Sequence, residues 1–127
     1  MPTGAKLFLS FGCLLALAAV VLGAFGAHGL KARLAPEMLA VYQTGVQYHM
    51  YHALGLLLVG LAFFHLPDST ALRASGWLMA TGVLLFSGSL YALALSGERW
   101  LGAVAPVGGT AFILAWGALA WAVIRTS

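Results

Sequence analysis

The chain has 127 residues, 62% of them hydrophobic and only 7% charged, with a mean hydropathy of +0.99. Soluble domains carry roughly 45–50% apolar and about 25% charged residues, so this composition excludes a water-soluble globule and makes the lipid bilayer the solvent. Six Lys or Arg against three Asp or Glu give a formal charge of +3, but these lie in separate loops and form no basic patch, which argues against a nucleic-acid partner.

A membrane-spanning helix needs roughly 20 predominantly apolar residues. Four such runs fit, at about 7–27, 42–64, 75–95 and 101–124, and they predict an all-α, four-transmembrane-helix bundle filling residues 1–127 as one integral, multi-pass domain without an extramembrane module. The first run exceeds the apolar core of a secretory signal, about 7–15 residues, and is expected to be retained. Ala19, Gly23 and Ala27 recur at four-residue spacing within it, and Gly12 and Ala16 form a shorter stripe. Small residues on one stripe let a neighbouring backbone approach closely, within the bundle or in a homo-oligomer. Cys13, the only cysteine, permits no intrachain disulfide and reads as a small packing residue.

The first span closes on Gly23-Ala-Phe-Gly-Ala-His28-Gly29, which sets a histidine at the membrane boundary. Pro36 and Glu37 suit the first turn of a second helix, where a missing N–H costs nothing and a negative charge meets the dipole. The stretch 36–64 is longer than the bilayer core requires, so this helix is expected to tilt or to begin in the interfacial zone. Its polar run Tyr42-Gln-Thr-Gly-Val-Gln-Tyr-His-Met-Tyr-His52 would then occupy the interfacial half. At about 100° per residue, Gly45, Tyr48, His49 and His52 share about a third of the helix circumference, while Gln43, Gln47 and Tyr51 fall on a separate face.

Pro67 stops the second helix, and Asp68 or Ser69 is placed to cap the third. The third span carries Phe86-Ser87-Gly88-Ser89-Leu90-Tyr91, and Trp100 in the following turn suits an interfacial anchor. Pro106 with Gly108 and Gly109 is expected to kink the fourth span or open it locally. Lys6, Arg73 and Arg125 on one side balance Lys31, Arg33 and Arg99 on the other, so the positive-inside rule selects no orientation.

Alternating helix direction brings His28, Tyr48, His49, His52, Ser87, Ser89, Tyr91 and Pro106 to one end of the bundle. Three uses fit such a cluster. Imidazoles from neighbouring helices bind metal or haem iron, but the only carboxylate within reach is Glu37, so no metal or cofactor is assigned. Intramembrane histidines and tyrosines also hold quinone-like ligands or relay protons. The third use is structural, in which the side chains hydrogen-bond across helices and fix the bundle. Catalysis has little to build on: there is no Gly-x-Ser-x-Gly elbow, and Glu37, Asp68 and Glu98 all lie in or beside loops.

Taken together, Gly23-Ala-Phe-Gly-Ala-His28-Gly29-Leu30, the run from Tyr42 to Leu54, Phe86-Ser-Gly-Ser-Leu-Tyr91 and Ala105-Pro-Val-Gly-Gly109 resemble a family of small four-helix membrane proteins, domain of unknown function 423, which includes transmembrane protein 256. The resemblance implies a multi-pass protein of a bacterial cytoplasmic or organelle membrane and transfers no catalytic residue. The expectation is a non-enzymatic membrane-organising or membrane-integrity component. The alternative is a protein that handles a small molecule, quinone, proton, metal or haem through the His/Tyr cluster.

Overall fold

The computed structural model describes residues 1–126, and these form four helices with no strand. Helix α1 (Thr3–Leu30) ends in a π turn over Gly26–Leu30. Helix α2 (Pro36–Ala62) starts at its proline, with Glu37 in the first turn. Helix α3 (Thr70–Ser96) is opened by Ser69, whose Oγ accepts the Leu72 N–H at 3.1 Å, and it carries a π stretch at Val83–Ser87. It stops at Gly97, whose φ of 76° lies in the left-handed region that side chains disfavour, and whose N–H reaches the Leu93 carbonyl.

A 3-10 stretch (Arg99–Ala103) leads into α4 (Ala105–Ile124). Pro106 falls in the first turn of α4, where its missing N–H has no intrahelical partner to lose. The proline thus marks the point where the 3-10 stretch gives way to the α-helix.

The helices pack in chain order, α1 on α2, α2 on α3 and α3 on α4, and α1 barely touches α3. All four feed one apolar core, with Ala5 and Phe8 from α1, Leu56 and Val59 from α2, Leu72 and Met79 from α3, and Ala115 and Ala122 from α4. The outer faces are apolar too: Leu14, Leu17, Leu84, Ile113 and Ile124 are each more than half exposed. Helices that are apolar inside and out belong in lipid. Residues Thr3–Leu30, Thr70–Ser96 and Arg99–Ile124 are each long and apolar enough to cross a membrane. Helix α2 matches them in length, but its polar run makes it less apolar.

Small residues set the helix spacing. A Cβ on Gly12 would lie 2.9 Å from the Ala53 carbonyl, and one on Gly108 would lie 2.7 Å from Cα of Phe86, so both helix pairs meet backbone to backbone. Gly23 faces Val46, Ala19 is buried, Ala16 is half-buried, and Gly109 stands clear of the Phe86 ring. Ala27 is exposed, contrary to the expected stripe. A buried stripe follows 3.6 residues per turn, so it runs through Ala19, Gly23, Gly26 and Leu30 and leaves Ala27 outside.

Candidate functional site

One face of the polar run of α2, with Tyr42, Gly45, His49 and His52, is buried in the bundle. Tyr42 is buried, its hydroxyl donates to the Leu22 carbonyl of α1 at 2.6 Å, and its ring fills the space beside Gly26. His49 is the middle residue of α2, equally far from Pro36 and Ala62, about 20 Å from each end at 1.5 Å per residue. Among apolar helices an unpaired buried polar group is costly, so each buried nitrogen and oxygen there needs a partner.

His52 has two. Its Nδ1 lies 2.8 Å from the Tyr48 carbonyl, which can only accept, and its Nε2 lies 2.9 Å from the indole Nε1 of Trp116, which can only donate. The ring is therefore neutral, with the proton on Nδ1, and both nitrogens are occupied. Phe112 lies flat against it, with centroids 3.5 Å apart and planes 6° from parallel. Ligating a metal through His52 would break one of these bonds.

His49, 4% exposed, is built differently. Its Nδ1 is 2.8 Å from the Tyr91 hydroxyl of α3, whereas Nε2 is buried and has no hydrogen-bond partner. His49 is among the residues that line an apolar cleft of about 560 Å³ between α1 and α3, beyond the place where Phe8 and Phe11 pack on Trp77. A second cleft, about 520 Å³, lies toward α4 and is lined by Tyr48, His52, Phe86 and Thr110. The two histidines share a helical stripe but bind different helices, Tyr91 on α3 and Trp116 on α4.

The remaining polar residues are spent on backbone. Ser87 Oγ donates to the Gly45 carbonyl at 2.7 Å, joining α3 to α2, and Ser89 Oγ donates to the Phe86 carbonyl of its own helix at 2.9 Å. The Tyr48 ring, partly exposed, packs on Phe86. His28 stands apart: it is exposed, past the buried Gly26 on the far side of the π turn. Its expected place in the cluster is not taken up, because only Gly26 and Leu30 of that turn face α2. Among the described residues, no three His, Cys, Asp or Glu side chains gather as a metal site.

Tyr42, Phe112 and Trp116 belong to this network and were not anticipated in it. The available signal was chemical: an indole N–H in the apolar span of α4 has to find an acceptor, and the acceptors within reach belong to the histidine run.

A family model described as "Protein of unknown function (DUF423)" matches residues 22–109. The chain is 50% identical over 111 residues to the UPF0382 membrane protein YwdK of Bacillus subtilis, covering 87% of this chain and 90% of the relative. A UPF0382 membrane protein of Staphylococcus epidermidis is 43% identical over 122 residues, 94% of this chain and 97% of the relative. One from Staphylococcus haemolyticus is 44% identical over 113 residues, 87% of this chain and 89% of the relative. No solved structure matches the chain.

Proposed function

Given that the chain belongs to the DUF423 family of integral membrane proteins, we propose that it is a non-enzymatic, self-associating component that organises the membrane around it. The observation that carries this reading is the lipid-facing side of α2. Gln43, Gln47 and Tyr51, spaced four residues apart, are all exposed there, and neither amide has a side-chain hydrogen bond among the described residues. Gln47 is two residues from the midpoint of α2, where lipid tails offer no partner. An amide both donates and accepts, so the same stripe on a second copy satisfies it through a two-fold contact.

The small-residue stripes are used up within the chain, since Gly12 and Gly23 pack on α2. Self-association is thus assigned to the amide face. A non-enzymatic role is supported by the hydroxyls of Ser75, Ser87 and Ser89, all donated to backbone carbonyls.

Energy transfer between labelled copies in lipid vesicles tests the proposal. Interhelical hydrogen bonds in membranes are worth about 0.6 kcal/mol on average and about 1.7 at most, so Gln43→Leu with Gln47→Leu should weaken association by about tenfold or more. Association unchanged by the pair, or a monomeric wild type, would remove the amide face from the mechanism.

A further inference from the structure

We propose that the chain inserts into the membrane in both orientations, and that its partner along the amide face of α2 is a second copy lying the opposite way up. The pairing rests on the self-association reading; the two orientations do not.

Orientation follows from where Lys and Arg lie, because the tendency of these residues to stay on the cytoplasmic side decides which way a helical membrane protein inserts. The fold gathers them at two ends. At one end Phe63, at the close of α2, covers Gly4 at the start of α1, and a polar cleft joins His65, Pro67 and Asp68 of the α2–α3 turn to Arg125 after α4. This end holds Lys6, Arg73 and Arg125. At the other end Leu30 and Leu34 of the α1–α2 turn share a cluster with Ala94, near the close of α3. Here stand Lys31, Arg33 and Arg99. All six cations are exposed, so three face three. The turns at 31–35, 63–69 and 97–104 are short enough for each charge in them to count. Of the acids, which weigh little in this balance, Asp68 is at the first end and Glu37 and Glu98 are at the second. Equal charge at the two ends favours neither orientation, and both are populated.

Opposed copies also suit the amide face. Gln43, Gln47 and Tyr51 lie exposed on one stripe of α2, evenly spaced about Gln47. Two such stripes, related by a two-fold axis in the membrane plane, bring Gln47 against the partner's Gln47 and Gln43 against the partner's Tyr51. Amide and phenol each donate and accept, so every pair can bond. The α2 dipoles then run opposite ways, the positive half of each beside the negative half of the other, whereas copies of like orientation would set them parallel.

The test of orientation uses the full chain with Cys13→Ser and one new cysteine, Ala32→Cys at one end or Thr70→Cys at the other, both at exposed positions. A membrane-impermeant maleimide is applied to spheroplasts and then after lysis. Each cysteine should label to about half before lysis and fully after it, as a chain without charge bias requires. One added Lys should break the tie. Ala32→Lys draws its own end to the cytoplasm and moves the labelled fraction of Thr70→Cys toward completion, and Thr126→Lys draws in the opposite end and moves that fraction toward zero.

Pairing is read by co-purification, in mild detergent, of copies carrying two different peptide tags without Lys or Arg. Wild-type copies should co-purify. Copies of Ala32→Lys should lose one another, as should copies of Thr126→Lys, while Ala32→Lys recovers Thr126→Lys as well as wild type recovers itself. Labelling confined to one end of the unbiased chain would overturn the two orientations. Ala32→Lys copies that hold one another as well as wild type does would overturn the opposed pairing and leave self-association standing. Wild-type copies that do not co-purify would overturn the pairing and the self-association together.

Discussion

Gly108 is where the fold has least tolerance. A Cβ built there would lie 2.7 Å from Cα of Phe86 and closer still to its backbone nitrogen. Ordinary contact begins near 3.4 Å, so Gly108→Ala requires α3 and α4 to separate by about 1 Å. The obstacle is main chain in the π stretch Val83–Ser87, which cannot rotate aside as a side-chain tip would. Separation also loosens the Phe112 ring from Gly82. Overpacking of this kind costs about 1–3 kcal/mol, and in a bilayer no hydrophobic force between helices offsets it.

Unfolding by denaturing detergent, followed by circular dichroism and read against the wild-type midpoint, measures that loss. Two controls sharpen it. Gly109→Ala meets only the Phe86 ring at 3.8 Å, and Gly117→Ala meets nothing within 4 Å. Both should match wild type or exceed it, since alanine favours a helix over glycine by up to about 1 kcal/mol. If Gly108→Ala is as stable as Gly109→Ala, the backbone approach does not govern the α3–α4 packing and the reasoning fails.

Two further substitutions probe other causes. Gly97→Ala forces a Cβ into the left-handed region at φ 76° and should cost about 1 kcal/mol, visible in the same titration and absent if the α3 stop relaxes freely. Trp116→Phe removes the only donor to His52 Nε2 and should cost about 1 kcal/mol while the proton stays on Nδ1, held by the Tyr48 carbonyl. A His52 ring that changes tautomer in that variant would show that the carbonyl bond does not set the proton.

The network explains how a helix as polar as α2 can sit among apolar ones. Tyr42 binds α1, His49 and Gly45 bind α3, and His52 binds α4, so each tie is specific to one neighbour. Such bonds add little stability each, but a rotation of α2 would break them together, which fixes its register. Helix α2 therefore packs on both α1 and α3 despite its polar run.

Some of this was legible in the residues themselves. Length and apolarity determine an all-helical membrane protein, because a bilayer leaves backbone groups no partner outside helices and closed barrels; the four expected helices form, and three of them are apolar enough to span by composition alone. Helical periodicity placed Gly45, Tyr48, His49 and His52 on one stripe and Gln43, Gln47 and Tyr51 on another; Gly45, His49 and His52 are buried and the second group is exposed, while Tyr48 at the edge of its stripe is exposed too. What only the tertiary structure decided is which neighbour each stripe meets. Periodicity along one helix contains no information about the helix beside it. Packing in chain order gives Trp116 to His52 and Tyr91 to His49, and leaves His28 outside. That Tyr42 turns inward was likewise decided by packing, which bonds its hydroxyl to the Leu22 carbonyl of α1.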